Sequence, residues 1–145
     1  MNKKEKGKQT QIDRESYGKF IRQVDIGNIR LISANIKLLD HDYFPEETEV
    51  RTRFRTDYEN TKDGFCYLHH LRTLIKDRPT KVNKAQIYIA IRVDYTSKIA
   101  MNEEFNEIFI KRNLFVNTWP YFREIANSFT TRFGWPPYIT PVYKA

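Results

Sequence analysis

Strict alternation of apolar and polar side chains dominates the middle of the chain. Over residues 50–58, Val50, Thr52, Phe54, Thr56 and Tyr58 alternate with Arg51, Arg53, Arg55 and Asp57, which predicts a β-strand with one face on a core and the other in water. Residues 86–95 repeat the period, with Ile87, Ile89, Ile91, Val93 and Tyr95 on one side and Gln86, Tyr88, Arg92 and Asp94 on the other. Residues 65–75 form a strand between these two. It is entered through Thr61-Lys62-Asp63-Gly64, where Asp-Gly is expected to supply the positive-φ residue of a tight hairpin. Residues 29–39 make an earlier strand whose pattern is less clean. Arg30, Ile32, Ala34, Ile36 and Leu38 fall on one face and Ile29, Leu31, Ser33, Asn35, Lys37 and Leu39 on the other. Both faces begin apolar, as in a strand covered on both sides or lying at an oligomer interface.

Helical spacing takes over outside this region. Tyr17, Phe20, Ile21 and Val24 follow it until Gly27, and residues 101–113 form a short helix with Phe105, Ile108 and Phe109 on one face and Glu103 and Glu104 near its positive end. A last helix is expected to start at Thr118 as N-cap, with Pro120 in the first turn, and to stop at Gly134. Its apolar face is Phe122, Ile125, Ala126, Phe129 and Phe133, which suits packing on the sheet or on another subunit. Trp135-Pro136-Pro137-Tyr138, with Pro141 and Tyr143, then forms a stiff aromatic loop. The fold class is α+β: a four-stranded antiparallel sheet with helices packed on one side. Residues 1–15 read as a flexible basic tail and residues 16–145 as one domain.

Charge changes the picture of the wet face. Between Arg51 and Arg92 there are ten basic and four acidic residues, a net +6 of the chain's +7. The stripe Arg51, Arg53, Arg55 is thus a basic partner surface, open to phosphates or simply a solvated guard on a strand. Cys66 is the only cysteine, so no internal disulfide forms and the expected compartment is the reducing cytoplasm. The longest apolar run, from Ile87 to Ile91, is too short to cross a bilayer, and no membrane insertion is expected.

Candidate chemistry is sparse. The five glycines are scattered, so no phosphate loop exists. His69 and His70 are strand neighbours that point to opposite faces and cannot chelate one ion together. His41 beside Asp42 is a lone pair in a loop. No enzyme, no metal and no cofactor are expected.

The string Asn117-Thr118-Trp119-Pro120-Tyr121-Phe122-Arg123-Glu124, followed by Thr131-Arg132, Gly134 and Pro136-Pro137, resembles the carboxy-terminal signature of the SecB-like protein-export chaperones. The likeness is greatest to the short members that accompany toxin–antitoxin systems. It implies an ATP-independent holding chaperone for unfolded or export-destined chains, with an antitoxin as one candidate client, assembled as a homotetramer, a dimer of dimers. Its client groove would be walled by Tyr43 and Phe44 from the crossover loop and by Trp135, Tyr138 and Ile139 from the proline loop. Phe122, Ile125, Phe129 and Phe133 would lie in the oligomer interface. The well-known export members are acidic and dock the translocation motor through acidic sheet surface, so the basic face here puts that partner in doubt. The alternative is a basic nucleic-acid-binding or regulatory module on the same fold.

Overall fold

The computed structural model describes residues 14–136. Helix α1 (Arg14–Ile21) leads into strands β1 (Asp25–Leu38), β2 (Thr48–Thr61), β3 (Gly64–Asp77) and β4 (Asn83–Thr96), and these into α2 (Glu103–Phe109), a π-helical turn (Ile110–Leu114) and α3 (Phe115–Arg132). All strand pairs are antiparallel, in the order β1-β4-β3-β2. The expected α+β architecture is therefore present, with β3 and β4 central and β1 and β2 at the edges.

Alternation sets the two faces. Phe65, Tyr67, Leu71 and Ile75 of β3 and Ile87, Ile89, Ile91, Val93 and Tyr95 of β4 are buried beneath the helices. β1 departs from simple alternation because its register slips between Ile26 and Asn28 and again between Leu31 and Ser33. Each slip moves the following residues to the other face. Ile29 and Leu31 therefore share the helix side with Ala34, Ile36 and Leu38, opposite Val93, Ile91, Ile89, Ile87 and Ala85. The two-face division expected for this strand is corrected accordingly.

Gly64 also has a different reason from the one expected. Among the described glycines only Gly134 has positive φ. At Gly64 a Cβ would run into the Tyr95 carbonyl oxygen and lie 2.8 Å from the Ser97 nitrogen. Close backbone approach, not turn handedness, requires glycine there.

The larger correction concerns the helices. No break separates α2 from α3. Thr118 is not an N-cap; it is fully buried, and its hydroxyl donates to the Leu114 carbonyl at 2.9 Å. Pro120 sits inside α3. The buried positions Phe109, Leu114, Thr118, Phe122, Ala126 and Thr130 step by four residues except between Phe109 and Leu114, where the step is five. In a regular α-helix five residues turn the side chain about 140° away from its predecessor. The π-helical turn, marked by the Phe115 N–H donating to the Ile110 carbonyl, absorbs the extra residue and returns both side chains to the sheet.

Three asparagines on this long helix tie down buried tyrosines. Tyr67 donates to Asn106 at 2.6 Å, Tyr17 donates to Asn113 at 2.9 Å, and Asn117 donates to Tyr95 at 2.8 Å. Burial raises the pKa of all three phenols, Tyr17 and Tyr95 to about 12. At the far end Gly134, at φ 79°, closes α3: its N–H donates to Thr131 and that of Trp135 to Thr130. This pair of bonds is a Schellman motif, and it confirms the expected stop. Among the described residues no helix is long and apolar enough to cross a membrane.

Candidate functional site

The cover over the sheet is incomplete on one side. Helix α3 is anchored above β3, where Thr118 meets His69 Nδ1 at 3.0 Å and Phe122 packs edge-on against the His69 ring at 5.2 Å. The outer flank of β2 is left open. Between β2 and α3 lies a cleft of about 300 Å³, walled by Val50, Thr52 and Phe54 on the strand and by Trp119, Phe122 and Ala126 on the helix. Leu71, Thr73 and Ile87 form its floor and Arg123 its rim.

Phe54 is the hinge of this arrangement. Its ring lies 4.7 Å from that of Phe115, 5.4 Å from His69 and 6.0 Å from Trp119, yet it remains 38% exposed. Beside it runs the edge of a 14-residue strand that, among the described residues, is bonded to β3 alone. Unpaired N–H and C=O groups thus adjoin an apolar trough, and an extended polypeptide can add as a strand while placing alternate side chains in the cleft.

Of the expected groove residues, the structure brings Tyr43 and Trp135 together. Their rings meet edge-to-face at 5.9 Å, and the Trp135 indole N–H donates to the Tyr43 carbonyl at 3.2 Å. Trp135 is only 7% exposed, so it fastens the loop to α3 and presents little surface. The Tyr43 hydroxyl donates to Asp77, the residue paired with Thr48, which places this corner at the Val50 end of the cleft. Phe44 is 58% exposed beside it. Tyr138 and Ile139 lie outside the described residues.

Along α3 the four expected interface residues divide. Phe122 is buried within the subunit, whereas Ile125, Phe129 and Phe133 keep part of their surface. Arg51, Arg53 and Arg55 project from the sheet face opposite the helices, as their alternation requires. The cleft residues Phe54 and Trp119 were not singled out as binding residues. Phe54 was visible in the alternation, but its exposure follows from the strand order, which places β2 at an edge.

No family model matches the sequence, and no curated protein sequence matches it. A solved structure does: the Mycobacterium tuberculosis Rv1957 SecB-like chaperone in complex with a ChAD peptide from the Rv1956 HigA1 antitoxin. It superposes with a TM-score of 0.75 over 90% of this chain and 98% of that one, at 14% sequence identity. The fold is SecB-like. At this identity the likeness fixes the architecture, and the SecB-like frame accounts for the four strands and the long helix on one side of them.

Proposed function

We propose that this SecB-like protein is an ATP-independent holding chaperone that binds extended, apolar segments of unfolded polypeptides in the cleft between β2 and α3. The observation that carries the reading is the juxtaposition of a free strand edge with an open apolar trough. Backbone hydrogen bonds supply affinity without regard to sequence, and the trough selects segments with apolar side chains at alternate positions. Folded proteins seldom present an extended segment with contiguous apolar side chains, and so gain much less by binding. No catalytic group is invoked.

An antitoxin is a reasonable client, because the SecB-like neighbour is described in complex with an antitoxin peptide. Export-destined chains and the translocation motor are the other partners the family resemblance implies. Assembly as a homotetramer is supported by apolar surface at the second edge, where Ile26, Leu31 and Ile32 of β1 are each at least half exposed. Ile125, Phe129 and Phe133, with the partly exposed flank of α3, offer a further contact. A cytoplasmic location fits the lone buried Cys66.

The direct test is hydrogen exchange with and without an unfolded client peptide rich in alternating apolar residues. Protection should appear at the β2 amides, and Thr52→Lys, which puts a charge at an exposed cleft position, should abolish it. Protection confined to another surface would overturn the assignment.

A further inference from the structure

The sheet face opposite the helices carries a second cavity, of about 370 Å³, lined by Arg53, Phe54, Arg55, His70, Arg72 and Tyr88. Arg53 and Arg72 are direct cross-strand partners. Like charges so placed repel, and a protein normally places a carboxylate nearby. Elsewhere on this face that is done: Arg51 lies against Glu49, Arg55 against Asp57, and Arg30 and Arg92 against Asp94. Among the described residues Arg53 and Arg72 have no such partner.

The floor completes a set of donors. Arg55 Nη2 lies 3.1 Å from His70 Nε2, and a guanidinium can only donate. Asp57 Oδ2 lies farther from the same Nε2, at 3.5 Å. With the shorter Arg55 contact deciding, Nε2 accepts, the His70 proton sits on Nδ1, and it is donated to the Tyr88 oxygen at 2.6 Å. This leaves the Tyr88 O–H free to point into the cavity. Arg55 is already held by Asp57, so the donors left facing the space are the Arg53 and Arg72 guanidinium groups and the Tyr88 phenol, a set that suits an anion.

We propose that this cavity docks an acidic polypeptide segment, whose carboxylates pair with Arg53 and Arg72 and accept from Tyr88. Charge complementarity supplies the attraction, and the neighbouring hollow lined by Asn35, Lys37 and Gln86 extends the surface along Arg72 and Tyr88 far enough for several residues. A nucleic-acid backbone fits less well. The basic rows span only three positions of β2, roughly 14 Å along the strand. They end at Asp57, Glu59 and Asp94 on one side and at Glu49 on the other. A phosphate track would meet those carboxylates at both ends. The inference stands apart from the cleft reading, because the two sites lie on opposite faces of the sheet.

The test is fluorescence anisotropy with the full chain, a labelled oligoglutamate peptide and a labelled single-stranded DNA of equal charge, at low salt and neutral pH. Oligoglutamate should bind, and Arg53→Gln with Arg72→Gln should weaken it by about tenfold or more. Tyr88→Phe should weaken it by a smaller factor. Lys62→Gln with Lys98→Gln removes the same charge elsewhere and should change binding by less than about twofold. Both cavity arginines are exposed, so their loss should leave the melting temperature unchanged or slightly higher. The proposal falls if oligoglutamate does not bind, if the two double variants lose equally, or if the DNA binds as tightly and responds to the same arginines.

Discussion

His69 is the residue whose chemistry is most constrained. It is fully buried, and the Thr118 hydroxyl beside it has its one proton committed to the Leu114 carbonyl. Nδ1 must then donate to Thr118, and Nε2 is left without a partner among the described residues. Burial, with a smaller contribution from His70, lowers the His69 pKa from its ordinary 6.5 to about 4. The folded state thus prefers the neutral ring, and stability is fully present above the unfolded pKa. It should fall as the pH drops from about 6.5 towards 4, by on the order of 3 kcal/mol in total. Urea titrations across that range check this, and His69→Leu should flatten the dependence. Thr118→Val removes the acceptor and should cost about 1–3 kcal/mol. Nothing in the sequence distinguished this threonine from a cap. Ser or Thr two residues before a proline is the ordinary start of a helix, and only the tertiary position of His69 and the carbonyl of Leu114 give it other work.

Among the elements, the strands were legible and the long helix was not. Alternation marked β2 and β4 correctly because period two follows from backbone geometry alone, and the turn ending at Gly64 marked the start of β3. β1 was misassigned between faces because a bulge leaves no mark in a short apolar run such as Leu31-Ile32. The helix was divided in two because Pro120 usually breaks one, and because a five-residue step reads as a lost period. The π-helical turn repairs that step only when the sheet is present to reward it. Because α3 passes through Pro120, Pro120→Ala restores an N–H able to reach the Val116 carbonyl. It should stabilise the protein by up to about 3 kcal/mol, read as a raised melting temperature. A proline at the first turn of a separate helix would give no gain.

At the scale of the whole molecule, the two edges of the sheet differ. β2 adjoins the open apolar cleft, whereas β1 exposes Ile26, Leu31 and Ile32. Subunit contact at β1 would leave β2 free for clients, so Leu31→Glu with Ile32→Glu should reduce the assembly mass in sedimentation while the fold persists. The candidate trough was legible only in kind. The expectation of exposed aromatic surface near a proline loop was sound chemistry, but residues such as Trp135 turn inward, and the open trough was found where strand order leaves Phe54 uncovered. The central claim is that apolar burial at this trough, without nucleotide, holds unfolded chains. It is tested most directly by the suppression of aggregation of a chemically unfolded protein at low and high salt, in the absence and presence of ATP. Apolar capture predicts equal suppression in all four conditions and its loss in Thr52→Lys. Suppression that vanishes at high salt, or that requires ATP, would contradict it.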